Sequence, residues 1–290
     1  MKRLIKFSPR WMSGVHRFGI VLLGLCLIPL SVCLGQSIDT GFWDHSNPEN
    51  DQIIDHSDWQ VILDGYLMTN DPSGIHLFDY AGLQDDSSER QRLRDYINHL
   101  QQLDPRPYSK DVQMAYWINL YNALTVRVIV DNYPIESILE IHHGDNPGTG
   151  PWKETVTTIA GVDLSLDNIE HDILRPIWQD PRIHYGVNCA SLGCPNLASE
   201  VFTKSNLERL LNQCAKDFVN HVRAIELLDE SFGVTSSLYY WYIEDFGNSE
   251  DGIFEHLTIF ADEDLAKQLV DFDGTLDHEY DWRLNEVESQ

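Results

Sequence analysis

Apolar residues are spread unevenly along this chain, and their spacing changes from segment to segment. The first run, Phe18 to Leu34, holds no charged residue and follows a start carrying Lys2, Arg3, Lys6, Arg10 and Arg17. A basic start, an apolar stretch and small residues at its end (Cys33, Gly35) predict a secretory signal peptide over residues 1–35, cleaved after Gly35. The alternative is an uncleaved membrane anchor, since the run is just short of the ~20 residues a spanning helix needs. A lipid anchor through Cys33 fits less well, because Val32 is bulky where a small residue is wanted. In each case the positive flank stays cytoplasmic and the rest is exported, to the periplasm or outside the cell.

Residues 36–52 are polar and acidic and read as a mobile leader. From residue 53 onward the pattern is that of a single globular domain. Ser57 to Met68 places Trp59, Ile62, Leu63 and Tyr66 at helical spacing. "IHLFDYAGL" (75–83) alternates enough for a short strand or extended loop. Ser88 with Gln91 forms a capping-box start for a helix reaching Leu103. Val112 to Val130, "VQMAYWINLYNALTVRVIV", is apolar on all sides and predicts a central, buried helix that Tyr133-Pro134 ends. Residues 142–152 are a loop by their Gly and Pro content. "ETVTTIAGVDLSL" predicts a hairpin around Ala160-Gly161, and Asp167 with Glu170 caps a helix that stops before Pro176. "RIHYGVNC" (182–189) reads as a strand, and Ser205 with Glu208 opens a helix to about Val222. "AIELL" and "FGVTSSLYYWYIEDF" suggest a hairpin or a strand-to-helix turn. Two helices follow near 252–260 and 262–270, and "YDWRLN" (280–285) is the expected closing strand. Helices outnumber strands without alternating with them, so the expected class is α+β, with the central buried helix packed against a mixed or antiparallel sheet.

Charge narrows the partners. Without residues 1–35 the chain keeps 15 basic residues against 46 acidic ones, a net charge of −31 where the full chain has −26. Such a balance argues against nucleic acid or anionic lipid and leaves a small molecule or peptide as the expected partner. Membrane contact is expected only through an uncleaved N-terminal segment. No phosphate loop or dinucleotide fingerprint is present, and no cofactor is expected.

Export also bears on the cysteines. Loss of the leader leaves Cys189, Cys194 and Cys214, of which two could pair in an oxidising compartment. "HYGVNCASLGCPNL" (184–197) holds two of them, and three readings stay open. Cys189 and Cys194 could form a disulfide across a Gly-containing turn, with Cys214 as a buried free thiol on its helix. Cys189 could instead be a nucleophile with His184 as base, although odd spacing on a strand would aim the two apart; His142 or His143 could then serve. A zinc site with a histidine is the third, but the spacing is not that of a ligand pair, and no metal is expected. Asn119 and Asn122 lie three apart on an apolar helix, where unpaired amides would be costly. They should hold the backbone of another segment, such as the 184–195 loop, or floor a pocket and polarise a substrate carbonyl. Arg182 and His184 share a strand face, and Asp245 could pair with Arg182 or orient His184. Trp117, Tyr121, Trp241 and Tyr242 read as core.

The segments "LFDYAGL", "AYWINLYNALTVRVI", "DPRIHYGVNCASLGCPNL", "WYIEDFG" and "YDWRLN", in this order, resemble the bacterial proteins of the domain of unknown function 547 family. The resemblance spans most of residues 55–288 and implies a shared fold rather than an activity. Plant members keep the histidine, serine and proline of the quoted loop but neither cysteine, so no family-wide cysteine nucleophile is implied. A helix preceding a histidine-bearing strand is also distantly similar to the papain and transglutaminase-like hydrolases, but "QMAYWINLYN" has no cysteine where those enzymes carry one. The expected site gathers Asn119, Asn122, Arg182, His184, Ser191 and Asp245 beside the cysteine loop. As an enzyme it would perform acyl transfer or amide hydrolysis: Cys189 or Ser191 attacks, His184 is the base, Asp245 orients it and Asn119 steadies the oxyanion. The competing expectation is a non-catalytic envelope binding or scaffolding protein with a structural Cys189–Cys194 disulfide.

Overall fold

A helix whose whole circumference is apolar is stable only inside other elements, and α5 (Lys110–Asn132) is such a helix. From Val112 to Val126 every residue is buried. The computed structural model describes residues 38–142 and 148–287. The expected signal peptide, residues 36–37 of the expected leader and residues 143–147 of the loop lie outside them. Among the described residues no helix is long and apolar enough to cross a membrane.

The helices that enclose α5 arise from local signals. After a short turn, α1 (Thr40–Trp43), comes α2 (Ser57–Tyr66), which buries Trp59, Ile62 and Leu63. The two-residue strands β1 (Leu67–Met68) and β2 (Leu77–Phe78) pair antiparallel. The second half of "IHLFDYAGL" is helical, because the Asp79 carboxylate accepts from Gly82 N–H and starts α3 (Tyr80–Asp85). In α4 (Ser87–Gln101) the cap is Asp86 rather than Ser88, accepting from the Ser88 and Glu89 N–H groups. α3 and α4 pack on α5. The central helix thus meets mainly other helices, and the sheets are small.

The hairpin around Ala160-Gly161 forms as expected, β3 (Thr157–Ile159) against β4 (Val162–Leu164). Both turn residues have positive φ, 48° and 80°, the backbone a tight two-residue turn of this hand requires. The helix that follows differs from expectation. It begins as a π-helical stretch, Asn168–Leu174, and continues into α6 (Arg175–Trp178) through Pro176. Pro176 sits in the first turn of α6, where its missing N–H is tolerated.

The expected strand at 182–189 is a correction. Ile183–Gly186 is one helical turn, α7, started where Asp180 accepts from Arg182 N–H (2.9 Å) and Ile183 N–H bonds to Asp180 O (3.1 Å). Ile183, His184, Tyr185 and Gly186 are all buried, so period two was never present to be read. Then come α8 (Leu207–Val219), the hairpin β5 (Ile225–Leu227) and β6 (Phe232–Ser236), α9 (Ser237–Trp241), a 3-10 turn (Ile243–Phe246), α10 (Glu250–Phe260) and α11 (Glu263–Asp271). The closing strand falls earlier than expected. It is β7 (Thr275–Glu279), parallel to β6, which makes the three-stranded sheet mixed. Residues 280–285 run alongside the 187–196 loop instead, with Ser191 bridged to Leu284. The class is α+β.

Two cores result. One surrounds α5; the other gathers Tyr185, Phe218, Tyr239, Phe246 and Leu257. Residues from both line the cavity described next.

Candidate functional site

Asn119 and Asn122 do not face open space. Asn119 donates to Phe202 O (2.7 Å) and accepts from Phe202 N–H (3.0 Å). Asn122 donates to Gly186 O (2.9 Å) and accepts from Asn188 N–H (2.8 Å). Each amide therefore holds the backbone of another segment with both its ends, Asn119 at Phe202 alone and Asn122 on either side of Val187. That geometry takes Asn119 away from the oxyanion role, because its amide faces Phe202 and it does not line the cavity. Asn122 sets the position of everything between α7 and Cys189.

The loop it positions is braced from further sides. Asn188 donates to Pro195 O (2.8 Å) and accepts from Ala190 N–H (2.9 Å), which holds Ala190 at φ 61°. Leu192 and Gly193 N–H bond to Arg283 O and Asp281 O, both at 2.8 Å. Gly193 is required by proximity: a Cβ there would lie 2.8 Å from Asp281 N. Arg223, mostly buried, donates to Leu192 O (2.9 Å) and Asn196 Oδ1 (2.5 Å) from the far side.

At the centre of this loop the expected disulfide is not formed. Cys189, Cys194 and Cys214 are all free thiols. Cys194 is buried, and its sulfur accepts from Cys189 N–H (3.1 Å). The half-buried Cys189 thiol meets Ser191 Oγ at 3.1 Å and Tyr280 Oη at 3.0 Å, and Ser191 Oγ also donates to Tyr280 (3.1 Å). Burial alone would push Cys189 up, but hydrogen bonds from Cys194, Ser191 and Tyr280 outweigh it and hold the thiol below its ordinary value. The opposite holds for its neighbour: burial, and then Cys189 itself, push Cys194 well up. Burial also takes Cys214 up to about 12.

His184 lies across the same cavity on α7. Its Nε2–H donates to Asp245 Oδ2 (2.6 Å), and its ring stacks on Tyr242 with centroids 4.3 Å apart. So the expected His184–Asp245 pair is present. Arg182, expected to share that face, turns elsewhere and pairs with Asp180 (2.6 Å) and Glu208 (2.9 Å). On a helical turn, unlike a strand, residues two apart point in different directions, and this separates Arg182 from Asp245. The cation on Asp245 is Arg175, whose Nε donates to Oδ2 at 2.6 Å. Burial opposes ionisation of Asp245, but His184 and Arg175 together bring it down to about 2.

The other ring nitrogen of His184, Nδ1, faces Glu170 Oε1 at 3.7 Å, too long for a hydrogen bond. Glu170, expected as a helix cap, is a cavity residue, 7% exposed. The cavity holds about 180 Å³ and is walled by Cys189, Cys194, His184, Glu170, Asp167 and His171, with Trp152, Trp241, Tyr242, Tyr280 and Trp282 around them. Tyr121 from α5 closes it, while Trp117 belongs to the core as expected. Trp241 is 46% exposed, so it stands at the mouth rather than in the core. Ser191 sits behind the wall, Asn119, Asn122 and Arg182 lie outside the lining, and His142 does not reach it. His143 lies outside the described residues. No cluster of His, Cys, Asp or Glu among the described residues has the arrangement of a metal site.

Tyr280, Glu170 and Arg175 are the contributors that sequence reasoning missed. Tyr280 follows β7 and stands in "YDWRLN", a segment whose pattern predicts a plain strand. The aromatic spacing Tyr280–Trp282 was the available signal for a wall rather than a sheet.

Residues 105–219 match the family described as "protein of unknown function, DUF547". This segment is similar to the domain of unknown function 547. It contains α5, α7, Glu170 and the whole cysteine loop, whereas Asp245, Trp241 and Tyr280 lie beyond its end. The chain matches none of the curated proteins and none of the solved structures.

Proposed function

We propose that the cavity is a thiol-dependent acyl-transfer site, with Cys189 as nucleophile in ester or amide cleavage. The observation that carries this is a half-buried thiol on the wall of a cavity, held below its ordinary pKa by three hydrogen-bonding neighbours. In the reaction the Cys189 sulfur bonds to the substrate carbonyl carbon, and the C–N or C–O bond breaks. His184 Nδ1 takes the proton that Cys189 gives up and hands it to the departing amine or alcohol. Nε2 is committed to Asp245, so Nδ1 is the atom free for this exchange. Water then attacks the thioester, returns a proton to Nδ1 and releases the acid, restoring the thiolate. Tyr280 and Ser191 act on the sulfur, and neither is the attacking atom.

The test is stoichiometric acylation. With p-nitrophenyl acetate the protein should give a burst of p-nitrophenol equal to its own concentration, and peptide mapping should place the acetyl group on Cys189. Cys189→Ala should lose the burst and Ser191→Ala keep it. A burst that survives Cys189→Ala, or none at all, sinks the reading.

One observation favours a second reading, a non-catalytic binding protein. Neither Cys189 nor Ser191 has a hydrogen bond to His184; the thiol meets Ser191 and Tyr280, and Cys194 Sγ accepts from the Cys189 N–H. In that reading the two adjacent cysteines serve as a lock that closes to a Cys189–Cys194 bridge on export, and the protein is then unreactive to the ester and to thiol reagents until reduced.

A further inference from the structure

Glu170 poses a problem that the reaction above does not solve. Its side chain is nine-tenths out of water, and among the described residues it has no hydrogen-bond partner. The charge-bearing groups within 4 Å of it among the described residues are His184 Nδ1 at 3.7 Å and His171 Nδ1 at 3.9 Å. The carboxyl group borders the cavity, where a cation that entered would find it unpaired. Asp167 adds a second carboxyl group to the same wall, and no lysine or arginine lines the cavity. Arg175, the nearest guanidinium, is spent on Asp245 and Glu244.

The same cavity is also lined by a cluster of aromatic rings. Trp241 stacks on Trp282 with centroids 5.6 Å apart, Tyr280 lies 4.7 Å from Trp282, and Trp152 completes the row at 6.3 Å. Trp241 leaves nearly half its surface open at the mouth. Aromatic rings sharing a cavity with a buried carboxyl group are the chemistry that recognises an organic ammonium ion, which takes both cation–π attraction and charge pairing. A neutral or anionic group gains neither. The protein's strongly negative charge draws cations toward it.

We infer that the cavity binds an organic ammonium group at Glu170 and the Trp241–Trp282–Tyr280 rings, beside the Cys189 thiol. Resting on the acyl-transfer reading, this makes the substrate an ester or amide whose cationic amine lies close to the bond that is cut. The binding step itself does not need the thiol, so the two ideas can fail separately.

The measurement uses the Cys189→Ala protein and follows tryptophan fluorescence during titration with choline and with its uncharged isostere, 3,3-dimethylbutan-1-ol. Choline should saturate at a concentration at least tenfold lower than the alcohol. Glu170→Gln should abolish the preference for charge while leaving the unfolding midpoint in place. Trp241→Ala, an exposed position at the mouth, should weaken choline tenfold without affecting the fold. Equal affinity for the two compounds, no saturable response to either, or full choline preference in folded Glu170→Gln overturns the inference. Acetylation of wild-type Cys189 without choline preference would do so while sparing the acyl-transfer reading; choline preference without acetylation would do the reverse.

Discussion

Lowering the pH from 6.5 to 4 should remove on the order of 3 kcal/mol of stability for each of two buried histidines, His56 and His256. Both are nearly out of water and each bonds a buried tyrosine: His56 Nδ1 to Tyr96 Oη (2.7 Å) and His256 Nε2 to Tyr185 Oη (2.8 Å). Burial is the main cause that brings each from 6.5 down to about 4. A depressed histidine takes up its proton in the unfolded chain first. Its contribution is therefore complete above pH 6.5 and is lost as pH falls toward 4. Asp245 does not act in this window. Its carboxyl group, held at about 2 against an ordinary 3.8, contributes fully above 3.8 and is lost only as pH falls through 2. Urea unfolding at intervals between pH 7 and 4 should show the midpoint falling steadily, and His256→Gln should remove about half of that slope. A flat midpoint over this range would mean that the histidines are solvated.

Replacing Asn122 by Leu should cost on the order of 3 kcal/mol, at about 1–3 kcal/mol for each buried group left unpaired. The substitution strips partners from both Gly186 O and Asn188 N–H, and both lie in buried backbone where no water replaces them. Because those two groups bracket Val187, the loss should also loosen the Cys189 loop. The ester burst should weaken in the folded fraction, beyond what unfolding alone explains. Asn119→Leu releases only the Phe202 backbone, so it should destabilise comparably but leave the burst of the folded protein intact. Equal effects of the two variants on the burst would contradict the assignment of Asn122 to the loop.

Which parts of this were readable in the sequence follows from how far each signal reaches. α5 was readable because a long segment apolar on every side has one stable place, and its two asparagines were readable because a buried amide must be bonded. The Ala160-Gly161 hairpin declared itself through two neighbouring residues. The His184–Asp245 pair was named, yet through the wrong geometry, since Ile183–Gly186 is too short and too evenly buried for any period to show. The thiol's setting could not be read locally. Tyr280 approaches Cys189 from 91 positions away, and Arg175 reaches Asp245 across 70. Glu170 misled for a different reason: an acidic residue in a first helical turn looks like a cap, and only the fold shows that it faces a cavity.

The central claim is that Cys189 is a free, activated thiol, and differential alkylation tests it most directly. Folded protein, prepared without reductant, is treated with iodoacetamide across pH 6 to 9, and each cysteine's labelling rate is read by peptide mass spectrometry. Cys189 should label first, with an apparent pKa below the ordinary thiol value of ~8.5. Cys194 and Cys214, both pushed up by burial, should stay unlabelled until the protein unfolds. A Cys189 that labels only after reduction, together with Cys194, would show the bridge as the resting state and contradict the account.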